Sequence, residues 1–183
     1  MMPPYRRSYV MAKLNEQEPR KAGVVVHLFF KASQWHVAYM RRPNYLGVHS
    51  GQISFPGGAV EPSDRDLWQT ARREAYEEVG LELAPSSWKQ PLSELYIPPS
   101  NFLVAPWVTV SDAEPTWRLE EKEVAEVFSI PLESLLDGTL ISSMKVTSEM
   151  GKYSVPCYRW GAHNIWGATA MITAELVSIL AAD

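Results

Sequence analysis

Three glutamates stand close together between Arg73 and Leu81, and their spacing suits metal-ion chemistry. On a helix, at about 100° per residue, Glu74, Glu77 and Glu78 share an arc about 100° wide. Carboxylates this close repel one another, and the negative end of the helix dipole adds to the repulsion unless a cation joins them. Carboxylate oxygens on one face are ligands that Mg²⁺ and Mn²⁺ prefer. The spacing therefore favours a divalent-metal site, with a solvated acidic helix end as the alternative.

Other common catalytic signatures are absent from the sequence. The four histidines do not form the His-Glu-x-x-His pattern of zinc proteases, and Ser50 lacks the Gly-x-Ser-x-Gly frame of a nucleophile elbow, because Val48 replaces the first glycine. Neither a dinucleotide-binding Gly-x-Gly-x-x-Gly nor a phosphate-binding P-loop occurs. These absences leave the glutamate cluster as the main candidate for chemistry.

The charge balance and the cysteine content exclude several classes of protein. There are 17 lysines and arginines against 21 aspartates and glutamates, a net charge of −4, which argues against a protein that coats nucleic acid. The single cysteine, Cys157, excludes an intrachain disulfide framework. No apolar run approaches the roughly 20 residues that span a bilayer, and the N-terminus does not resemble a signal peptide. We therefore expect a cytoplasmic protein without membrane or nucleic-acid partners.

The 183 residues predict one compact domain, at about 150 residues per domain. Residues 1–20 contain three prolines without helical or strand periodicity, so we interpret them as an N-terminal arm or an added strand, and residues 21–183 as a single domain. The oligomeric state is open between monomer and homodimer.

The glutamates require a helix that ends at a defined point. Ser63 is a candidate N-cap and Gly80 a C-terminal stop, which predicts a helix over about 64–79. A second long helix is predicted over 167–180, with Met171, Ile172, Leu176 and Ile179 on one side, and a short one after Pro131. Strands are predicted at 22–30, 35–40, 53–55, 92–97, 103–110, 123–130, 141–147 and 155–160. Pro56-Gly57-Gly58 is predicted to end the strand at 53–55 as a turn. Irregular alternation of strands and helices predicts the α/β class, as an α/β/α sandwich around a mixed central sheet.

The segment from Gly58 to Leu81 resembles the signature of the Nudix hydrolase superfamily. Its second half matches at every specified place, as Arg73-Glu74-Ala75-x-Glu77-Glu78-x-Gly80-Leu81. Its first half has one inserted residue, and Asp64 stands near the place of a glutamate that supports the loop and helix in the family. The resemblance implies the Nudix fold and leaves the role of Asp64 unassigned.

A second motif is similar to that of the coenzyme A diphosphatase branch. It reads His49-Ser50-Gly51-Gln52-Ile53-Ser54-Phe55-Pro56-Gly57-Gly58, followed by acidic residues. Residues 98–102 and 166–170 also look like that branch, so the resemblance runs from about residue 22 to the C-terminus. A basic residue common in the branch is Gly47 here, which shifts the expected substrate contact to Arg41 or Arg42.

The resemblance implies a role for each matched residue. Glu74 and Glu78 match the principal metal ligands, Glu77 an additional or supporting position, and the Gly57 carbonyl a further ligand for Mg²⁺ or Mn²⁺. The candidates for a base or further ligand are Glu120, Glu121 and Glu123, of which Glu123 is favoured. The remaining expectations are supporting roles for Arg73, Gly58 and Gly80 and substrate contacts from Arg41, Arg42, His49 and Gln52.

The implied reaction is hydrolysis of the diphosphate linkage of coenzyme A or a derivative. The products would be 3′,5′-ADP and 4′-phosphopantetheine or its acyl form. Three alternatives remain open at this point: a Nudix diphosphatase for ADP-ribose, NADH or dinucleoside polyphosphates, a catalytically silent nucleotide-binding module, and an RNA-cap hydrolase. The intact glutamate set argues against the silent module, and the net charge of −4 against the cap hydrolase.

Overall fold

The computed structural model of the chain describes residues 18–44, 50–148 and 151–182. The helices are α1 Leu67–Val79, α2 Leu132–Leu136 and α3 Gly167–Leu180, with a 3-10 turn at Pro98–Ser100. The strands are β1 Arg20–Lys31, β2 Gln34–Arg41, β3 Ile53–Ser54, β4 Gly57–Ala59, β5 Lys89–Pro91, β6 Leu95–Ile97, β7 Phe102–Ser111, β8 Glu126–Pro131, β9 Ile141–Ser148, β10 Gly151–Trp160 and β11 His163–Trp166. Most of the predicted N-terminal arm, 1–17, lies outside the described residues, so the proposed domain division stays a prediction.

A mixed sheet forms the centre of the fold. Its main path runs β3-β2-β1-β7-β5, while β4 pairs with β1, β6 with β7 and β8 with β2. β1 and β7 are parallel along ten paired positions, whereas the other pairs of this sheet are antiparallel. Because β1 is flanked on both edges and covered on both faces, its nearly continuous apolar run is buried, as expected for a central strand. The predicted mixed sheet is confirmed.

Helices cover both faces of this sheet. On one face, Ala71 and Ala75 of α1 pack with Val25 and Met40. On the other, α3 contributes to the core cluster that contains Tyr39, whose hydroxyl lies 3.1 Å from the hydroxyl of Thr173. The α/β/α arrangement is therefore confirmed. Among the described residues, no helix combines the length and the apolar character needed to cross a bilayer.

The C-terminal third contains a second sheet that the sequence did not predict as separate. Strands β9, β10 and β11 form an antiparallel, three-stranded sheet in the described part of the chain. Helix α3 packs against β10 and β11. The two strand predictions here are right in position, but pairing partners depend on long-range contacts that strand periodicity does not specify.

The start of α1 differs from the prediction. Asp66, not Ser63, is the N-cap, and its carboxylate accepts a hydrogen bond from the Gln69 amide at 2.7 Å. Residues 61–64 are occupied by a turn, in which the Asp64 amide donates to the Glu61 carbonyl at 3.0 Å. The helix therefore starts three residues later than predicted.

Four further strand and packing predictions need correction. Residues 57–59 form strand β4 instead of ending a strand as a turn, because they pair with β1. The predicted strand 92–97 is divided between β5 and β6, and the predicted strand 123–130 begins only at Glu126. In α3, which has the predicted bounds, Ile172 and Leu176 are buried but Ile179 is 48% exposed. The face of α3 that packs is instead completed by Thr169 and Thr173.

Candidate active site

Strand β4 packs against α1, and its two glycines contact two of the predicted carboxylates of that helix. The Glu78 carboxylate accepts a hydrogen bond from the Gly57 amide at 2.8 Å. The Glu74 carboxylate lies so close to Gly58 that a Cβ on that glycine would be 2.5 Å from the Glu74 Cδ. Because Gly57 and Gly58 are consecutive, Glu74 and Glu78 are placed side by side. The absence of a side chain at Gly58 is what leaves room for the Glu74 carboxylate.

Both carboxylates are withdrawn from water. Glu78 is 1% exposed, and burial raises its pKa to about 8, while Arg42 and the Gly57 amide oppose that rise and Glu74 and Glu123 add to it. Burial also raises the pKa of Glu74, against the hydrogen bond from Arg73. A buried carboxyl group with a second, partly buried one beside it is costly to ionise without a closely placed cation.

Arg73 joins the loop before α1 to the helix itself. Its guanidinium donates to Asp64 at 2.9 and 3.1 Å, to Glu74 at 2.9 Å and to Glu77 at 3.0 Å. It also donates to the carbonyl of Ala59 at the end of β4 at 3.1 Å. Arg73 and Glu77, four residues apart on the helix, therefore form an ion pair. Glu77 itself is 54% exposed.

Asp64 is a site residue that the sequence left unassigned. Its side chain is inaccessible to solvent, and it accepts hydrogen bonds from Arg73 and, at 2.9 Å, from the Thr70 hydroxyl. The hydrogen bond from Arg73 holds the Asp64 pKa at about 2, well below its usual range. The inserted residue, which lies between Asp64 and Arg73, thus leaves the aspartate within reach of Arg73. A search for an acid one position away from the expected glutamate would have found it.

The end of α1 receives a loop that carries the predicted base. Gly80 has a φ of 71°, a left-handed conformation that ends the helix and favours glycine. The amides of Arg118 and Glu120 donate to the carbonyls of Val79 and Glu78 at 3.0 and 2.9 Å. Glu123 follows in an exposed turn, not in the predicted strand, and its charge contributes to the raised pKa values of both buried glutamates.

The four residues predicted to contact substrate differ in their distance from the carboxylates and in their partners. The Arg42 guanidinium lies 3.5 Å from Glu78, so Arg42 is adjacent to the carboxylates, and the Arg42 backbone amide donates to the Gln52 carbonyl at 3.0 Å. Arg41 instead donates to Glu126 at 3.1 Å. His49 lies outside the described residues.

The buried pair fits a divalent cation. Within the described residues, no three side chains of His, Cys, Asp or Glu are grouped closely enough to chelate an ion by themselves. Mg²⁺ commonly binds through one or two carboxylates, with waters and substrate phosphates as its other ligands. Two oxygen-donor carboxylates, one of them buried with a single arginine guanidinium 3.5 Å away, meet that description. The Gly57 carbonyl is the further oxygen that the sequence analysis expects.

Comparison with known proteins decides the family. The NUDIX domain model matches residues 19–149. The chain belongs to the Nudix hydrolase family. Nudix hydrolases generally use divalent metal ions and act on small-molecule nucleotide substrates, as the resemblance of residues 58–81 implied.

Curated Nudix relatives match most of the chain. The human "Mitochondrial coenzyme A diphosphatase NUDT8" is 34% identical over 167 residues, which are 89% of this chain and 70% of that protein. "Uncharacterized Nudix hydrolase NudL" of Pectobacterium atrosepticum is 35% identical over 163 residues, or 87% of this chain and 82% of that protein. The coenzyme A diphosphatase branch inferred from residues 49–58 is thus represented among similar proteins.

Solved structures show the same fold. A MutT/nudix family protein from Enterococcus faecalis superimposes with a TM-score of 0.62 at 13% identity, over 98% of this chain and 75% of that one. The NUDIX domain of Shewanella oneidensis NrtR, solved with ADP ribose, gives a TM-score of 0.54 at 16% identity, over 74% of this chain and 88% of that one. The predicted Nudix fold is confirmed.

Proposed function

We propose that this Nudix hydrolase cleaves the diphosphate linkage of coenzyme A or its derivatives, with Mg²⁺ or Mn²⁺. The products are 3′,5′-ADP and 4′-phosphopantetheine or its acyl form. The observation that carries the proposal is the hydrogen bond from the Gly57 amide to Glu78, beside Glu74, because Gly57 belongs to the coenzyme A diphosphatase motif. The 34% identity to a protein named as a coenzyme A diphosphatase supports the substrate.

Glu74, Glu78 and the Gly57 carbonyl would hold the metal, with Glu77 available to a further ion. When bound there, a divalent cation would neutralise phosphate charge and lower the pKa of a water molecule. Arg73 fixes the position of Glu74 through a hydrogen bond of 2.9 Å, while Asp64 fixes Arg73. The helix and loop therefore keep the carboxylates in place before substrate arrives.

The remaining residues act on substrate and water. The oxygen of water forms a bond to one phosphorus atom as the bridging P–O bond breaks, and the second phosphate leaves. Glu123 accepts the proton that the water loses, because its exposed turn is held beside the buried glutamates. Arg42, adjacent to Glu78, contacts the diphosphate, and Arg41, His49 and Gln52 complete the substrate contacts.

Product analysis tests the proposal. The purified protein is incubated with Mg²⁺ or Mn²⁺ and separately with coenzyme A, acetyl-coenzyme A, ADP-ribose, NADH or diadenosine polyphosphate, and the products are resolved by chromatography and mass spectrometry. We expect metal-dependent 3′,5′-ADP from coenzyme A or its thioester, and none in EDTA. Cleavage of ADP-ribose in preference to coenzyme A would overturn the substrate, and no cleavage across the panel would overturn the activity.

A pair of variants in the same assay tests the site. Glu78→Gln removes the charge of a buried, proposed metal ligand at nearly constant side-chain shape. We therefore expect turnover to be lost while the circular dichroism spectrum shows that the fold is retained. Glu133→Gln is the control, because Glu133 is an exposed acid in α2, outside the site. Wild-type turnover in Glu78→Gln at saturating metal would remove Glu78 from the reaction. The cytoplasmic location remains a prediction, and the human relative is named as mitochondrial.

A further inference from the structure

A cleft lies along α1, away from Glu74 and Glu78. Its volume is about 570 Å³, and its lining includes Arg65, Arg72 and Lys89 together with the indoles of Trp68 and Trp107. The proposed reaction uses none of these residues.

The sheet places this cleft and the carboxylates on opposite flanks of α1. The helix crosses β1 at Gly23, where an added Cβ would meet Ala71 of the helix. From there, Glu74 and Glu78 lie toward β4, on one edge of β1. Trp68 and Arg72 lie toward β5 and β7, on the other edge. A ligand in the cleft would therefore not occupy the carboxylate site.

The cleft is positive although the chain carries a net charge of −4. Three cationic side chains line it against one carboxylate, that of Asp66, which already caps α1 by accepting from the Gln69 amide. In the part of the chain that the structure describes, Arg65, Arg72 and Lys89 form no ion pair with a carboxylate. Their charges are therefore free to act on a ligand.

Two of the cations are held over one buried ring. Lys89 Nζ lies 5.0 Å and Arg72 Cζ 5.9 Å from the ring centroid of Trp68, which is 6% exposed. The ring is fixed in turn, because its Nε1 donates to the Pro85 carbonyl at 3.3 Å. Arg72 Nε donates to the Leu83 carbonyl at 2.5 Å, which leaves its terminal nitrogens available. This preorganisation lowers the entropy cost of binding an anion.

Trp107 adds a donor that lacks a partner. Its Nε1 is buried and makes no hydrogen bond to the described residues, although a buried indole N–H ordinarily finds an acceptor. Trp107 lines the same cleft and lies 5.8 Å from Trp68, ring centre to ring centre. The residue that carries this unpaired donor therefore borders the cleft.

We propose that this cleft binds the phosphate group of a small-molecule ligand, at a site separate from the metal-binding carboxylates. Three cations against one carboxylate leave two positive charges, which match a phosphate dianion, and guanidinium groups bind phosphate oxygens through paired hydrogen bonds. The N-terminal end of the α1 dipole lies at the same place and favours a negative charge there. The ligand is inorganic phosphate or a phosphate monoester such as a nucleotide.

Nuclear magnetic resonance of the tryptophan indole N–H groups tests ligand binding at this site independently of hydrolytic activity. The ¹⁵N-labelled full chain is titrated, without divalent metal, with inorganic phosphate, AMP or 3′,5′-ADP in separate arms, and with chloride at equal ionic strength. We expect the Trp68 and Trp107 signals, assigned with Trp68→Phe and Trp107→Phe, to shift with the phosphate ligands and not with chloride. Tighter binding of the nucleotides would show that the base adds contacts, and equal binding would show that phosphate alone is recognised; both support the site.

Three variants separate the site from a general charge effect. Arg65→Gln and Lys89→Gln should each weaken binding by roughly tenfold, the usual effect of losing one charge-assisted contact. Arg118→Gln is the matched control, since Arg118 Cζ lies 5.2 Å from the Tyr76 ring, a cation over an aromatic residue of α1 outside the cleft. No shift at millimolar phosphate, or equal affinity in all three variants, would overturn the proposal. Glu78→Gln should bind phosphate normally, so failure of the proposed hydrolysis and failure of this site are distinguishable.

Discussion

Asp64 and Arg73 form a two-point ion pair that fastens the loop before α1 to the helix. Arg73 Nη2 lies 2.9 Å from Asp64 Oδ2, and Nε lies 3.1 Å from Oδ1. Because the same guanidinium also contacts Glu74 at 2.9 Å, the position of a proposed metal ligand depends on a residue ten positions earlier.

Removing the charge of Asp64 should destabilise the protein. In Asp64→Asn, Arg73 loses a buried, charged partner, and we expect the free energy of unfolding at pH 7 to fall by about 2 kcal/mol. The pKa of Asp64 is lowered to about 2, so its contribution is full above the unfolded value near 4 and is lost as the pH falls toward 2. Urea denaturation between pH 7 and 3 measures both effects. Asp66→Asn is the control, because asparagine caps a helix equally well, and an Asp64→Asn protein as stable as that control would contradict the prediction.

A methyl group at Gly58 should harm activity more than stability. The new Cβ would lie 2.5 Å from the Glu74 carboxyl carbon, and a flexible side chain can move away from it, which displaces a proposed ligand. We expect Gly58→Ala to lose at least about tenfold in kcat/KM, as small misplacements at reacting centres do. Gly23→Ala is the comparison, because its Cβ would meet the backbone carbonyl of Leu67 and destabilise the fold. Thermal unfolding and steady-state kinetics of both variants distinguish these effects, and unchanged kinetics in Gly58→Ala would refute the argument.

The two neighbouring arginines should differ in their effect on catalysis. Arg42 lies 3.5 Å from Glu78, whereas Arg41 is engaged by Glu126 at 3.1 Å. We therefore expect Arg42→Gln to lower kcat/KM about tenfold or more, and Arg41→Gln to have the smaller effect. Initial rates on the substrate that is found to be cleaved measure the difference. A larger loss in Arg41→Gln would show that Arg41 leaves Glu126 when substrate binds.

Stability should fall in mild acid because of His27. This side chain is 1% exposed between the hydroxyls of Thr109 and Ser111, at 2.8 and 3.1 Å, and burial lowers its pKa to about 4. Between pH 6.5 and 4 the unfolded chain gains a proton at His27 and the folded chain does not. The free energy of unfolding therefore falls by about 3 kcal/mol over that interval. At pH 7 both states are neutral and the effect vanishes. Urea denaturation of His27→Gln should show a shallower fall across this range, and identical pH slopes in the two proteins would exclude His27 as the cause.

The sequence by itself determined the features that depend on local spacing. The arc shared by Glu74, Glu77 and Glu78 and the stop at Gly80 follow from the period of one helix, and the bounds of α3 follow from its apolar pattern and first glycine. The matched half of the Nudix signature is contiguous for the same reason. These predictions required no knowledge of which strands pair.

Tertiary structure decided which groups meet across the chain. Pairing of β4 with β1 turned a predicted turn into the platform on which Gly57 and Gly58 receive Glu78 and Glu74. The contact of Asp64 with Arg73, the separate sheet of β9 to β11 and the different partners of Arg41 and Arg42 arise in the same way. Each depends on hydrogen bonds or burial between distant segments, and the residue types and periodicity of a single segment do not encode its partner.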